Sequence, residues 1–132
     1  QRRAMGYLLG NAVRLAPCDD ILVVGEGIET MLSVREAAPG LPVWAALSSS
    51  HLGAVLLPEG LQRLYIAIDR DPAGQRAAER LTIRASEAGI AVRVLEPRLG
   101  DFNDDLTADG PEVLRQYLAK QIGPEDRERL ER

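Results

Sequence analysis

A chain of 132 residues, 45% hydrophobic and 27% charged, has the size and balance of one globular domain that can bury a core without staples. Its single cysteine, Cys18, excludes an internal disulfide and a cysteine-built zinc site, and agrees with a reducing, cytoplasmic setting. The net charge of −4, with arginines interleaved among acids, excludes a broad basic face able to grip a nucleic-acid backbone unaided. No apolar run approaches the ~20 residues of a membrane helix, and no signal peptide is visible. The start at Gln1 rather than Met suggests a piece of a longer protein.

Residues 1–20 carry little pattern and read as a lead-in continuing from an upstream domain. Within them, Ala12 to Leu15 alternates like a short strand, and Pro17 to Asp20 reads as a turn. Ile21-Leu22-Val23-Val24 is a β-branched apolar run, hence a buried strand, and it ends at Gly25-Glu26-Gly27. Helical spacing follows from Ile28 and stops at Pro39-Gly40. Val43 to Leu47 reads as a second parallel strand, and Ser48 to Ser50 offer caps for a short helix near His51. The uncharged run Leu64 to Ile68 predicts a third buried strand. A long helix from Pro72 to about Ala88 follows, with Asp71 as N-cap, Pro72 at its first position and Gly89 as its stop. Ala91 to Leu95 is a fourth strand. A weak helical region begins at Leu106, and a better helix runs from Glu112 to Ile122. Residues 123–132 read as a solvated tail or linker: Gly123-Pro124 breaks the helix, and residues 125–132 are nearly all charged. Strands alternating with helices imply an α/β fold: a Rossmann-like sheet of about four parallel strands, helices on both faces, over residues 21–122.

Three acidic features lie at strand ends. Glu26 sits between two glycines, which permit unusual backbone angles and leave little bulk around the carboxylate; a plain tight turn is the competing reading. Asp69 and Asp71 follow the third strand one residue apart. Two carboxylates on one turn repel, and a cation such as Mg²⁺ relieves that; a solvated turn with a helix cap is the alternative. Asp101-Phe102-Asn103-Asp104-Asp105 follows the fourth strand, and Asp101 or Asp104 also suits a helix cap. Gly25-x-Gly27-x-x-Thr30 imitates a dinucleotide fingerprint. It lacks the third glycine and the ribose-binding acid, and its own glutamate would repel a pyrophosphate. His51 and Trp44 read as local packing residues.

Taken together, strand-Gly25-Glu26-Gly27, strand-Asp69-Arg70-Asp71-Pro72-Ala73-Gly74 and Asp101-Phe102-Asn103-Asp104 resemble the Toprim domain family. That fold is shared by bacterial-type primases, type IA and II topoisomerases, OLD-type nucleases and RecR-like repair proteins. The detail looks most like the primase-like domains of phage and plasmid replication proteins. The resemblance implies Glu26 as general acid or base and Asp69 with Asp71, joined by Glu26, as ligands of Mg²⁺ or Mn²⁺. It implies accessory roles for Glu29, Asp101, Asn103, Asp104 and Arg70. One departure stands out, since Gly100 occupies a position where primase relatives often carry lysine. The implied activity is nucleotidyl transfer on nucleic acid, with nuclease- or topoisomerase-like cleavage or a non-catalytic DNA-binding scaffold as alternatives. The implied partners are nucleotides, DNA held weakly by this domain alone, and other domains of the parent protein.

Overall fold

The computed structural model describes residues 12–132. Its elements are β1 (Val13–Arg14), β2 (Ile21–Gly25), α1 (Ile28–Ala37), β3 (Val43–Ala45), α2 (Ser49–Ala54) and β4 (Arg63–Ala67), then α3 (Pro72–Glu87), β5 (Ala91–Leu95), α4 (Phe102–Asp109), α5 (Pro111–Ala119) and a closing 3-10 helix (Pro124–Glu131). The strands form one sheet in the order β1-β3-β2-β4-β5. β3, β2, β4 and β5 are parallel, as the βαβ alternation requires. The fifth strand, β1, was legible as a strand but not as a sheet member: it pairs antiparallel with β3, Val13 opposite Ala45.

β2 and β4 lie at the centre and are apolar on both faces. Along β2, Ile21 and Val23 join one core with Met31 and Val34 of α1, Phe102 of α4 and Leu114 of α5. Leu22 and Val24 alternate to the other face and meet Leu52 of α2 with Ala77 and Leu81 of α3. Burial on both sides is why these strands read as unbroken hydrophobic runs rather than as alternating ones. Each fully buried Leu, Ile or Val contributes roughly 1.5–3 kcal/mol relative to exposure.

Local signals set the helix ends. The Asp71 carboxylate accepts the Gly74 N–H at 2.6 Å and starts α3. Gly89, at φ +80°, turns the chain out of it. Asp101 caps α4 by accepting the Asp104 N–H at 2.7 Å, so this helix starts at Phe102, four residues before the expected Leu106. α5 stops at Ala119 rather than Ile122.

The charge-rich C-terminal segment differs from the solvated tail its composition predicts. The 3-10 helix buries Leu130 in the core and Asp126 beneath the sheet's amino end. There, Arg63 grips the Asp126 carboxylate with two hydrogen bonds of 2.7 Å, and the Tyr65 hydroxyl adds a third at 2.5 Å. Arg129 pairs with Asp19 at 2.8 Å. β5 forms the other edge of the sheet. Between it and α3 runs a groove of about 530 Å³ floored by Ile68, Ala78, Ile83 and Val94. Among the described residues, no helix is long and apolar enough to cross a membrane.

Candidate metal centre

β2 and β4 are neighbours in register, with Gly25 opposite Ala67, so their carboxyl ends deliver Glu26 and Asp69 to one spot. The Asp69-to-Asp71 turn closes on itself through Asp71 N–H to Asp69 C=O at 2.9 Å. One carboxylate oxygen from each of Glu26, Asp69 and Asp71 then lies within 4.8 Å of the others. The Glu26 main chain is held from the β3 side: Ala46 N–H bonds Gly25 C=O at 2.8 Å, and Leu47 N–H bonds Glu26 C=O at 2.6 Å. Leu47 takes φ +84°, a left-handed conformation unfavourable for a side chain of its size.

The glycines beside Glu26 do not serve the unusual angles expected of them. The positive-φ glycines among the described residues are Gly60, Gly89 and Gly110. Gly25 is confined instead, because a Cβ there would displace the Met31 side chain and lie 3.0 Å from Ala67 O. Gly27, at φ −94° and ψ 145°, is ordinary extended backbone, and a Cβ there would come no closer than 3.9 Å to Thr30 Oγ1.

The electrostatics of the cluster are uncompensated. Glu26 Oε1 and Asp69 Oδ1 are buried, and neither has a hydrogen-bond partner. Burial raises the Glu26 pKa, and the charges of Asp69 and Asp71 add to it. Burial also raises that of Asp69, followed by the charges of Asp101 and Asp71, against which the Thr30 hydroxyl pulls weakly downward. Buried acceptors without donors are uncommon in folded proteins and need a reason. Three carboxylates offering hard oxygen atoms to one spot, two of them with a buried oxygen that no donor meets, fit a small divalent cation such as Mg²⁺ or Mn²⁺.

The other candidates divide. Asp101 and Asp104 lie close enough to act electrostatically on Asp69, and Asp101 doubles as the α4 cap. Asn103 accepts a hydrogen bond from Ser33 Oγ at 3.2 Å, which ties α4 to α1. Glu29 is exposed on the first turn of α1 and is not one of the three converging acids. Arg70, expected as a cation for phosphate, turns away: its guanidinium donates to the carbonyls of Pro97 at 2.5 Å and Leu99 at 3.0 Å. Arg98 is paired with Asp109 at 2.7 Å. His51 is local, its Nδ1 sharing a hydrogen bond with Ser48 Oγ at 2.5 Å.

Two polar residues seen in the sequence, Thr30 in the dinucleotide-like pattern and Asp105 at the end of the acidic run, were not assigned the places they take. Thr30 is buried beside Asp69, and its only sequence signal was a hydroxyl where the dinucleotide pattern wants glycine. Asp105, 2% exposed, accepts the N–H groups of Arg98 at 2.7 Å and Leu99 at 2.8 Å. An acid in the first turn of a helix that follows a short loop is the pattern that could have found it.

The fold and the site together define a doubly wound α/β domain that gathers acids at the carboxyl edge of its parallel sheet. The chain belongs to the Toprim domain family, whose model matches residues 21–112. Its fold is similar to the primase fragment of the bacteriophage T7 primase-helicase protein (TM-score 0.59, 21% identity, covering 79% of this chain and 44% of that one). It is also similar to the Aquifex aeolicus primase, in a structure of its zinc-binding and RNA polymerase domains (TM-score 0.53, 25% identity, 78% of this chain and 26% of that one). In sequence it is 31% identical over 121 residues to the ribosomal RNA small subunit methyltransferase H of Methylorubrum populi, across 92% of this chain and 33% of that protein. The chain thus spans a third of that relative and less than half of each of these two solved structures.

Proposed function

We propose that this chain is the catalytic Toprim domain of a primase-like replication protein and carries out divalent-metal-dependent nucleotidyl transfer on nucleic acid. The observation behind this reading is the convergence of Glu26, Asp69 and Asp71 within 4.8 Å, with two buried carboxylate oxygens lacking any donor. A scaffold that only bound DNA would gain nothing from this repulsion, which costs folding free energy unless a cation offsets it. The similarity to two primase structures favours primase chemistry over the nuclease- or topoisomerase-like alternative.

Asp69 and Asp71, with Glu26, would hold the metal. Bound there, Mg²⁺ would neutralise phosphate oxygens and stabilise the attacking or departing oxygen. Glu26 has the second task of holding or releasing a proton at its carboxylate. In the metal-free chain its pKa is raised by burial and then by Asp69 and Asp71, the direction that lets a carboxyl group hold a proton; a bound cation would oppose that shift.

The test is nucleotide incorporation by the full-length parent protein, with and without Mg²⁺ or Mn²⁺. Glu26→Gln and Asp69→Asn should each abolish it while the protein stays folded; retained incorporation in either variant would refute the assignment. The positive channel for DNA belongs to other domains of the parent. Of the arginines near the acids, Arg70 and Arg98 are engaged within the chain, leaving Arg76 exposed on α3. The isolated chain should therefore bind single-stranded DNA only weakly, with a Kd above ~1 μM at ~150 mM salt, falling off further as salt rises. Submicromolar binding without divalent metal would overturn that division of labour.

A further inference from the structure

The loop that joins β5 to α4 leads into Asp101, and into Asp104 in the first turn of α4, both close enough to Asp69 to act on its charge, and it is fastened from both sides. From the Asp69–Asp71 turn, the Arg70 N–H bonds Gly100 C=O at 2.9 Å. The Arg70 guanidinium reaches along the same loop to the carbonyls of Pro97 and Leu99. From α4, the buried Asp105 carboxylate takes the N–H groups of Arg98 and Leu99 with one oxygen each. Acceptors of residues 97, 99 and 100 thus go to Arg70, and donors of 98 and 99 go to Asp105. Loops seldom have so many main-chain groups met by just two residues, because most face water. Neither side chain is among the three converging acids.

We infer that Arg70 and Asp105 are positioning residues that clamp this loop against the Asp69–Asp71 turn, fix the distance from Asp101 and Asp104 to Asp69, and so set the site's affinity for a divalent cation. The inference rests on the metal reading above and deepens it. It gives Arg70 a structural task in place of phosphate contact. It also gives a reason for an acid at 105, beyond the Asp-x-Asn-Asp segment. Partners that orient the groups around a metal site commonly matter to affinity about as much as some ligands do. Arginine suits this role better than lysine, because its Nε and Nη2 donors are fixed in one plane and meet the Pro97 and Leu99 carbonyls together, whereas a lysine ammonium is one flexible point charge.

The experiment uses the whole 132-residue chain. Mn²⁺ affinity is measured from the free-ion electron paramagnetic resonance signal, and amide hydrogen exchange is followed across residues 97–104. Arg70→Lys keeps the charge and Asp105→Asn keeps the shape. Each should weaken Mn²⁺ binding roughly tenfold and speed exchange at Leu99 and Asp104. Arg80→Lys, at an exposed position of α3 beside Gly53 of α2, serves as the control and should leave both unchanged. A residue with a merely structural role would lower the melting temperature and leave Mn²⁺ affinity alone, which would overturn the inference. Faster exchange with unaltered Mn²⁺ affinity would overturn it too, as would unaltered exchange. If the unsubstituted chain takes up no Mn²⁺ at millimolar concentration, the metal reading itself fails, and the clamp's role in affinity falls with it. That outcome is distinct from normal uptake by both the parent and the variants.

Discussion

β4 has an acid site at each end, and the two are opposites. Near its amino end, Asp126 is 1% exposed and receives two hydrogen bonds from Arg63 and one from Tyr65. Burial would push its pKa up, but those bonds outweigh burial and hold it below the ordinary carboxylate value. The same environment pushes the Tyr65 hydroxyl up to about 12, chiefly through burial and then through its bond to Asp126. Beyond the carboxyl end, Glu26 and Asp69 are also buried in part, yet they have oxygens with no donor and pKa values shifted upward. The first site is complete within the protein. The second leaves two buried carboxylate oxygens without a donor, the deficit on which the cation proposal rests. On that proposal, the contrast separates an acid kept for folding from acids kept for chemistry more sharply than burial alone does.

The largest effect should come from breaking the finished end. Asp126→Ala leaves Arg63 and the Tyr65 hydroxyl without their partner and should cost about 3 kcal/mol, read from the urea midpoint at constant m. A loss below ~0.5 kcal/mol would mean the C-terminal segment is not docked in solution. Filling the unfinished end should be next in size. Mg²⁺ or Mn²⁺ at a hundred times its dissociation constant should add roughly 2.7 kcal/mol. A melting temperature that ignores millimolar metal would count against the cation site.

The smallest effect sharpens the comparison through pH. Glu26 and Asp69 have folded-state pKa values above their unfolded values, so the native state binds protons more tightly. Their contribution is fully present below the unfolded values near 4 and is lost as pH rises through the folded values. Asp126 behaves in the reverse sense: its contribution is present above 3.8 and is lost as pH falls through its lowered folded value. Metal-free protein should therefore gain stability from the carboxyl-end acids as pH falls from neutral toward their unfolded values, and lose the contribution of Asp126 as pH falls further through its lowered folded value. Asp69→Asn should stabilise the metal-free protein at pH 7 by about 1 kcal/mol and flatten the upper slope. An unchanged slope in denaturant titrations at several pH values would place its origin elsewhere.

Much of the fold was legible because its signals are local. The apolar run of β2, the Asp71 and Asp101 caps and the left-handed Gly89 each act within four residues of themselves. The three acids were legible for a related reason: each follows a strand, and parallel strands share a carboxyl edge. What was lost depends on distant partners. Nothing near Arg70 in sequence indicates that its guanidinium serves carbonyls 27 and 29 residues away. Asp126 sits in a run of charges, and its burial is decided by Arg63 and Tyr65 more than 60 residues earlier. Antiparallel pairing of the two-residue β1 likewise depends on β3, since so short a segment carries no direction of its own.

The pair of glycines around Glu26 has a consequence for mutagenesis. In sequence Gly25 and Gly27 are interchangeable punctuation. In space one is hemmed in by Met31 and Ala67, and the other opens onto room. A saturation library over 25–27 should therefore recover almost nothing but glycine at the first codon while admitting alanine and serine at the third.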